Sequence, residues 1–172
     1  LLRMIIRILR IHGCYKFSGS LLTLGVQDVY AQHDDICFLL DAEGMDYYAI
    51  PEDSRTYTNS IRALEFASIS KIPRFMHMND LFKILGFSEI DSLDVFDNEH
   101  PTILHDLNRP ISNKYRQKYD VIIDVGTLEH VFDIRQGIEN VISMLKTGGT
   151  LILCLPLKGW PNQELLGFNP PF

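Results

Sequence analysis

The alternation of apolar and polar positions divides this chain into elements most clearly between Tyr119 and Pro156. Tyr119-Asp-Val-Ile-Ile-Asp124 is a short apolar run rich in β-branched residues, which predicts a buried strand. After a turn at Val125-Gly126-Thr127, Asp133 is placed to cap a helix and Gln136 to reach back and complete a capping box. Ile134, Ile138, Val141, Ile142 and Leu145 then recur at spacings of three and four and predict one apolar helix face. Lys146 falls in the predicted last turn, where a cation suits the helix dipole, and Gly148-Gly149 end the helix. Thr150-Leu-Ile-Leu-Cys-Leu-Pro156 is a second buried-strand run. Strand, helix and strand joined in this way imply parallel neighbours and a right-handed crossover.

The same reading extends upstream. Residues 1–13 predict an N-terminal helix over 1–12 that places Arg3, Arg7 and Arg10 on one face, with Gly13 at its end. It is too short to span a bilayer; packing on the sheet, or contact with a membrane surface or partner, both fit its pattern. Ser20–Val26 predicts the first strand, with Gly25 at its end. Residues 32–86 predict a helical insertion: a short helix after Asp34-Asp35, a loop over Asp41–Thr58, and a helix capped at Asn59-Ser60 and running to about Ile69. Pro73 breaks the pattern, and Asn79 caps a third helix over Asp80–Leu85, closed by Gly86. Glu89–Val95 and Pro101–Asn108 predict strands two and three. The expected fold class is therefore α/β, a doubly wound and mostly parallel sheet, carried by a single domain over 1–172.

Asp124, Leu128-Glu129-His130 and Leu145-Lys146-Thr147-Gly148-Gly149, in that order and spacing, resemble the second half of class I S-adenosylmethionine-dependent methyltransferases. The resemblance implies a Rossmann-like fold, S-adenosylmethionine as cofactor, and a cofactor site at the strand ends. Gly25, Gln27 and Asp28 would then hold the methionine portion. The family's acidic-x-Gly-x-Gly signature reads Thr23-Leu-Gly25-Val-Gln27 here, so only the first glycine is kept. Asp28 either supplies the missing carboxylate or caps a helix. Asp94 is expected to accept hydrogen bonds from the ribose hydroxyls, with Asp91 as the fallback register; a carboxylate's two oxygens suit a diol. Asp106 and Leu107 are expected at the adenine, and Asp124 and Val125 beside them. His130 is the candidate general base for a hydroxyl acceptor, or a pocket-shaping residue. The segment from Leu93 to Pro110, followed by Tyr119–Asp133, is also similar to bacterial methyltransferase-like proteins associated with sugar or cell-surface metabolism. That family's sheet has seven strands; five are counted here, so the sheet is expected to be incomplete at its C-terminal edge. Trp160 and Phe168 fall where acceptor-site residues often occur, or serve as apolar edge cover.

Composition narrows the picture. With 46% hydrophobic and 22% charged residues, the 172-residue chain suits an ordinary globular domain with a sizeable core. A net charge of −6 argues against a general nucleic-acid backbone binder. Cys14, Cys37 and Cys154 show no CxxC or zinc spacing, and reduced thiols in a cytoplasmic protein are expected. His33, His77, His100 and His105 show no metal-ligand spacing either. The expected function is methyl transfer from S-adenosylmethionine to a small-molecule or carbohydrate-like hydroxyl acceptor. The alternative is a non-catalytic methyltransferase-like domain that serves as a binding or interaction module. A dinucleotide-dependent oxidoreductase is disfavoured, because no G-x-G-x-x-G follows the first strand.

Overall fold

Apolar residues on both faces are what a central strand of a covered parallel sheet requires, and two strands meet that condition. β1 (Gly19–Leu24) is buried throughout. β4 (Tyr119–Val125) is buried at Tyr119, Val121, Ile122, Ile123 and Asp124. They pair in parallel, with Leu21 opposite Val121 and Leu24 opposite Asp124. β5 (Leu145–Cys154) pairs in parallel with the far side of β4. β2 (Phe87–Asp94) lies on the other side of β1, with β3 (Ile103–Leu104) parallel to it and outermost. The order is β3-β2-β1-β4-β5 in an all-parallel, five-stranded sheet with flanking helices, a doubly wound, Rossmann-like α/β layout. The computed structural model describes residues 2–11, 13, 19–72 and 74–155; Cys14, Pro73, Pro156, Trp160 and Phe168 lie outside them.

The described chain separates into two compact units, one from residues 1–19 and 27–90 and the other from 20–26 and 91–172, so that β2 runs from the first into the second. In the second unit, Leu22, Leu24, Leu93, Ile103, Tyr119 and Ile122 of the sheet form one core with Val141 and Met144 of α5 (Ile134–Met144). Asp133 caps α5 by accepting from the Gln136 amide at 3.0 Å. The reciprocal arm of the expected capping box is replaced by a bond from Gln136 Nε2 to Asn140 Oδ1 at 3.1 Å. The buried face of α5 also differs from the expected one. It carries Gly137, Asn140, Val141 and Met144, while Ile138 and Ile142 are exposed. Gly137 explains the rotation: a Cβ there would stand 3.2 Å from Leu128 Cδ2 and 3.3 Å from Val131 Cγ1, so the helix approaches along that line.

Lys146 and Gly148-Gly149 prove not to close α5. The helix ends at Met144 and β5 begins at once. Between the pairs Tyr119↔Leu145 and Val121↔Thr150 the register shifts, which makes Lys146–Gly149 a bulge in β5. Gly148 takes φ +78° there, a conformation that disfavours any side chain. Lys146 Nζ reaches Asp120 Oδ2 at 2.8 Å from this bulge.

In the first unit, α1 (Leu2–Ile11) buries Ile5, Ile6 and Leu9. Its three arginines converge on one residue beyond α2 (His33–Ala42): Arg3 and Arg7 on the Glu43 carboxylate at 2.7 and 2.9 Å, and Arg10 on the Glu43 carbonyl. Gly13, at φ +61°, donates its amide to Arg10 and closes the helix. α3 (Ile61–Ser70) is capped by Ser60. α4 (Met78–Ile84) is capped by His77, whose Nδ1 accepts from the Asn79 amide at 3.1 Å; the expected cap, Asn79, is instead the capped residue. No helix among the described residues is long and apolar enough to cross a membrane.

Candidate functional site at the carboxyl edge of the sheet

In this strand order the chain leaves β1 for β2 and β3 on one side, then returns to β4 on the other. The carboxyl ends of β1 and β4 therefore flank a topological switch point, where open α/β sheets hold their ligands. Gly25 follows β1 with φ +77°, a conformation open to glycine and strained for other residues, and its amide bonds the Leu93 carbonyl at 2.7 Å. Thr23 is fully buried and donates its hydroxyl to the Gly25 carbonyl at 2.8 Å. That hydroxyl stiffens the glycine turn.

The loop after β4 is built on Asp124. Its Oδ1 accepts from the Thr127 amide at 2.9 Å and its Oδ2 from the Leu128 amide at 3.2 Å. These are the amides of the N-cap residue and of the first residue of the 3₁₀ turn Leu128–His130. Thr127 Oγ1 then donates to the Leu24 carbonyl at 2.9 Å, tying this loop to the end of β1. Burial pushes the Asp124 carboxyl up to about 6, with the nearby Glu129 charge adding to the shift and the two amides opposing it. Asp124 thus shapes the loop. Val125, the last residue of β4, is half-buried opposite Cys154.

Asp94 ends β2 half-buried. Its Oδ1 accepts from the Phe96 amide at 3.0 Å, and no described residue bonds its other oxygen. Its carbonyl accepts from the His105 amide at 2.8 Å, fixing the end of β3 beside it. Asp91 belongs to a different environment: its Oδ2 takes Lys118 Nζ at 2.6 Å and the Tyr119 hydroxyl at 2.7 Å. Asp94, and not Asp91, is thus the carboxylate at the end of β2. Asp106 accepts at Oδ1 from the Asn108 amide at 2.9 Å and the Asn108 side-chain amide at 2.7 Å. Those two bonds hold its carboxyl below the ordinary range. The Leu107 side chain is buried in the core.

Asn140 was not singled out as part of this site from the sequence, and Glu129 was noted there only beside His130. Asn140 is buried on α5 and makes four bonds: Nδ2 to the Leu107 and Arg109 carbonyls at 3.0 and 2.8 Å, and Oδ1 from the Ile111 amide at 2.9 Å and Gln136 Nε2 at 3.1 Å. It sets the course of the whole loop after β3. Its signal was a polar residue next to Val141 on an apolar helix. Glu129 is fully buried, and neither carboxylate oxygen has a hydrogen-bond partner among the described residues. A Cβ on Gly126 would lie 3.1 Å from its Oε1, so the glycine, at φ +90°, lets the loop close over the acid. His130, more than half exposed, has Nε2 3.8 Å from the same oxygen. That is an ion-pair distance and too long for a hydrogen bond.

Gly25, Asp94, Asp106, Leu107, Asp124, Val125 and His130 all belong to the second unit, whereas Gln27 and Asp28 belong to the first. There, Asp28 Oδ2 accepts from the Ser60 hydroxyl at 3.0 Å and the Tyr30 hydroxyl at 3.2 Å. It caps no helix itself and instead fixes the residue that caps α3. The Gln27 amide points to Met78 Sδ at 3.1 Å. Comparison with family models, curated proteins and solved structures finds no match to this chain.

Proposed function

We propose that the chain is an S-adenosylmethionine-dependent methyltransferase of the class I type, acting on a small-molecule or carbohydrate-like hydroxyl acceptor. The observation that carries this reading is the convergence of the Gly25 turn, the Asp94 carboxylate and the Asp124 loop on adjacent strand ends at the switch point. Asp94 presents an oxygen unclaimed by its own turn, as a ribose diol requires. The Asp106–Leu107 turn, fixed by Asn140, offers a backbone edge to a base. The buried carboxylate of Glu129, which accepts no hydrogen bond among the described residues, fits a cationic ligand, since a buried charge is stabilised by an opposite one.

When bound, S-adenosylmethionine supplies an electrophilic methyl group on a sulfonium. The chain's own work is to orient and to move a proton. The strand-end turns fix the cofactor against rigid strands, and positioning alone contributes much of an in-line displacement. His130, reachable from solvent beside the same loop, takes the proton of the acceptor hydroxyl.

Titration calorimetry with S-adenosylmethionine and S-adenosylhomocysteine, with NAD as control, tests this directly. Both sulfur compounds are expected to bind, and NAD is not. Asp94→Asn keeps an oxygen for the Phe96 amide but removes the charge, so cofactor affinity falls about tenfold or more, at roughly 1.5–3 kcal/mol per lost charged bond. Undiminished affinity in that variant removes Asp94 from the site. Absence of binding by the folded protein favours an interaction module instead.

A further inference from the structure

The first unit holds a cavity of about 320 Å³ lined by Gln32, His33, Asp34, Arg55, Tyr57 and Arg74. Its chemistry is unlike that of the sheet edge. Arg74 lies over the Tyr57 ring, its guanidinium carbon 5.4 Å from the centroid, and among the described residues no carboxylate stands within ion-pair distance of it. Arg55 is anchored by Nε to the Ile50 carbonyl at 3.4 Å and pairs with Asp34 at 3.1 Å. The Asp34 side chain is 82% exposed, and such a surface pair contributes only about 0–1 kcal/mol. A better anion therefore displaces it at little cost.

The floor of the cavity is more tightly built. His33 is buried against the edge of Tyr57, and its Nε2 lies 2.8 Å from Asp80 Oδ2. The same oxygen accepts from the Thr56 amide at 2.6 Å. Burial works against charge on Asp80, but the Thr56 amide and His33 outweigh it and hold its carboxyl below the ordinary range. An ionised Asp80 makes Nε2 the donor in that bond, which fixes the ring as part of the cavity floor.

We infer that this cavity is a binding site for a small molecule bearing a phosphate monoester, held by Arg55 and Arg74 above the His33–Tyr57 floor. Two guanidiniums match a dianion with several acceptor oxygens. The volume sits at the lower end of the ~300–1,000 Å³ range of small-molecule sites, so it has room for a body attached to the oxyanion. An isolated antiparallel bridge between Tyr57 and Met76 joins the segments that carry Arg55 and Arg74.

The test is titration of the intact chain with inorganic phosphate and with ribose 5-phosphate at constant ionic strength, by calorimetry. Saturable binding of the ester is expected, with at least tenfold weaker binding in Arg74→Ala and in Arg55→Ala. Arg74→Gln serves if the alanine variant fails to fold by circular dichroism. No saturable binding by the wild type overturns the inference. So does equal binding by the arginine variants, or binding of inorganic phosphate with exclusion of the ester.

Discussion

Asp124 and Glu129 show how much one buried charge decides. Asp124 titrates near 6 in the folded chain, against about 3.9 for a free aspartate. The folded state therefore holds a proton that the unfolded chain has already released. Stability contributed by this group is present below about pH 4 and lost as pH rises through 6, roughly 3 kcal/mol in all. Denaturant unfolding across pH 4 to 7 checks this: Asp124→Asn flattens that decline while losing stability at the acid end, where an amide nitrogen meets one of the two backbone donors. Glu129→Gln in the ligand-free protein removes a buried carboxylate that accepts no hydrogen bond among the described residues and has only His130, 3.8 Å away, as a basic neighbour, and it stabilises at neutral pH by about 1–3 kcal/mol. Asn140→Ala acts in the opposite sense. It strands the Ile111 amide and two carbonyls, so a loss of about 1–3 kcal/mol is expected from the midpoint in urea.

Among the elements, β5 and α1 depart most from what local pattern implies. The bulge at Lys146–Gly149 leaves no room for a side chain at its last position. A Cβ on Gly149 would stand 2.9 Å from the Lys146 carbonyl oxygen and 3.0 Å from that of Asp120. Gly149→Ala therefore forces backbone apart, and a loss of about 1–3 kcal/mol is expected in equilibrium unfolding. α1 is tied down by charge. Hydrogen bonds from Arg7 and Arg3 draw the Glu43 carboxyl down to about 2. With the folded value depressed, the contribution is complete above the ordinary glutamate range and disappears as pH falls through 2. Amide exchange in α1 is expected to quicken over that window, and in Glu43→Ala at neutral pH.

For the whole molecule, ligand and stability are linked. If the sheet edge binds S-adenosylmethionine, a concentration of 100 times Kd adds about 2.7 kcal/mol to the unfolding free energy. The wild type shows that rise in a thermal scan with cofactor, and Asp94→Asn at the same concentration shows less of it. A rise of equal size in both would separate the stabilising ligand from Asp94.

The α/β alternation, the five strands and the parallel crossover around α5 were legible in the sequence because each depends on periodicity within a short window. The caps at Asp133 and Ser60 were legible for the same reason. Of the candidate site, Gly25 and Asp94 could be placed from their positions at the ends of apolar runs. The structure alone decided the rest. It rotated α5 to bury Gly137 and Asn140, because close approach to Leu128 and Val131 and four hydrogen bonds outweigh the exposure of two isoleucines. It also turned both oxygens of Asp124 onto its own loop. The cavity of His33, Arg55 and Arg74 joins segments far apart in the chain, and no local pattern of hydrophobicity or charge encodes a meeting that only tertiary packing brings about.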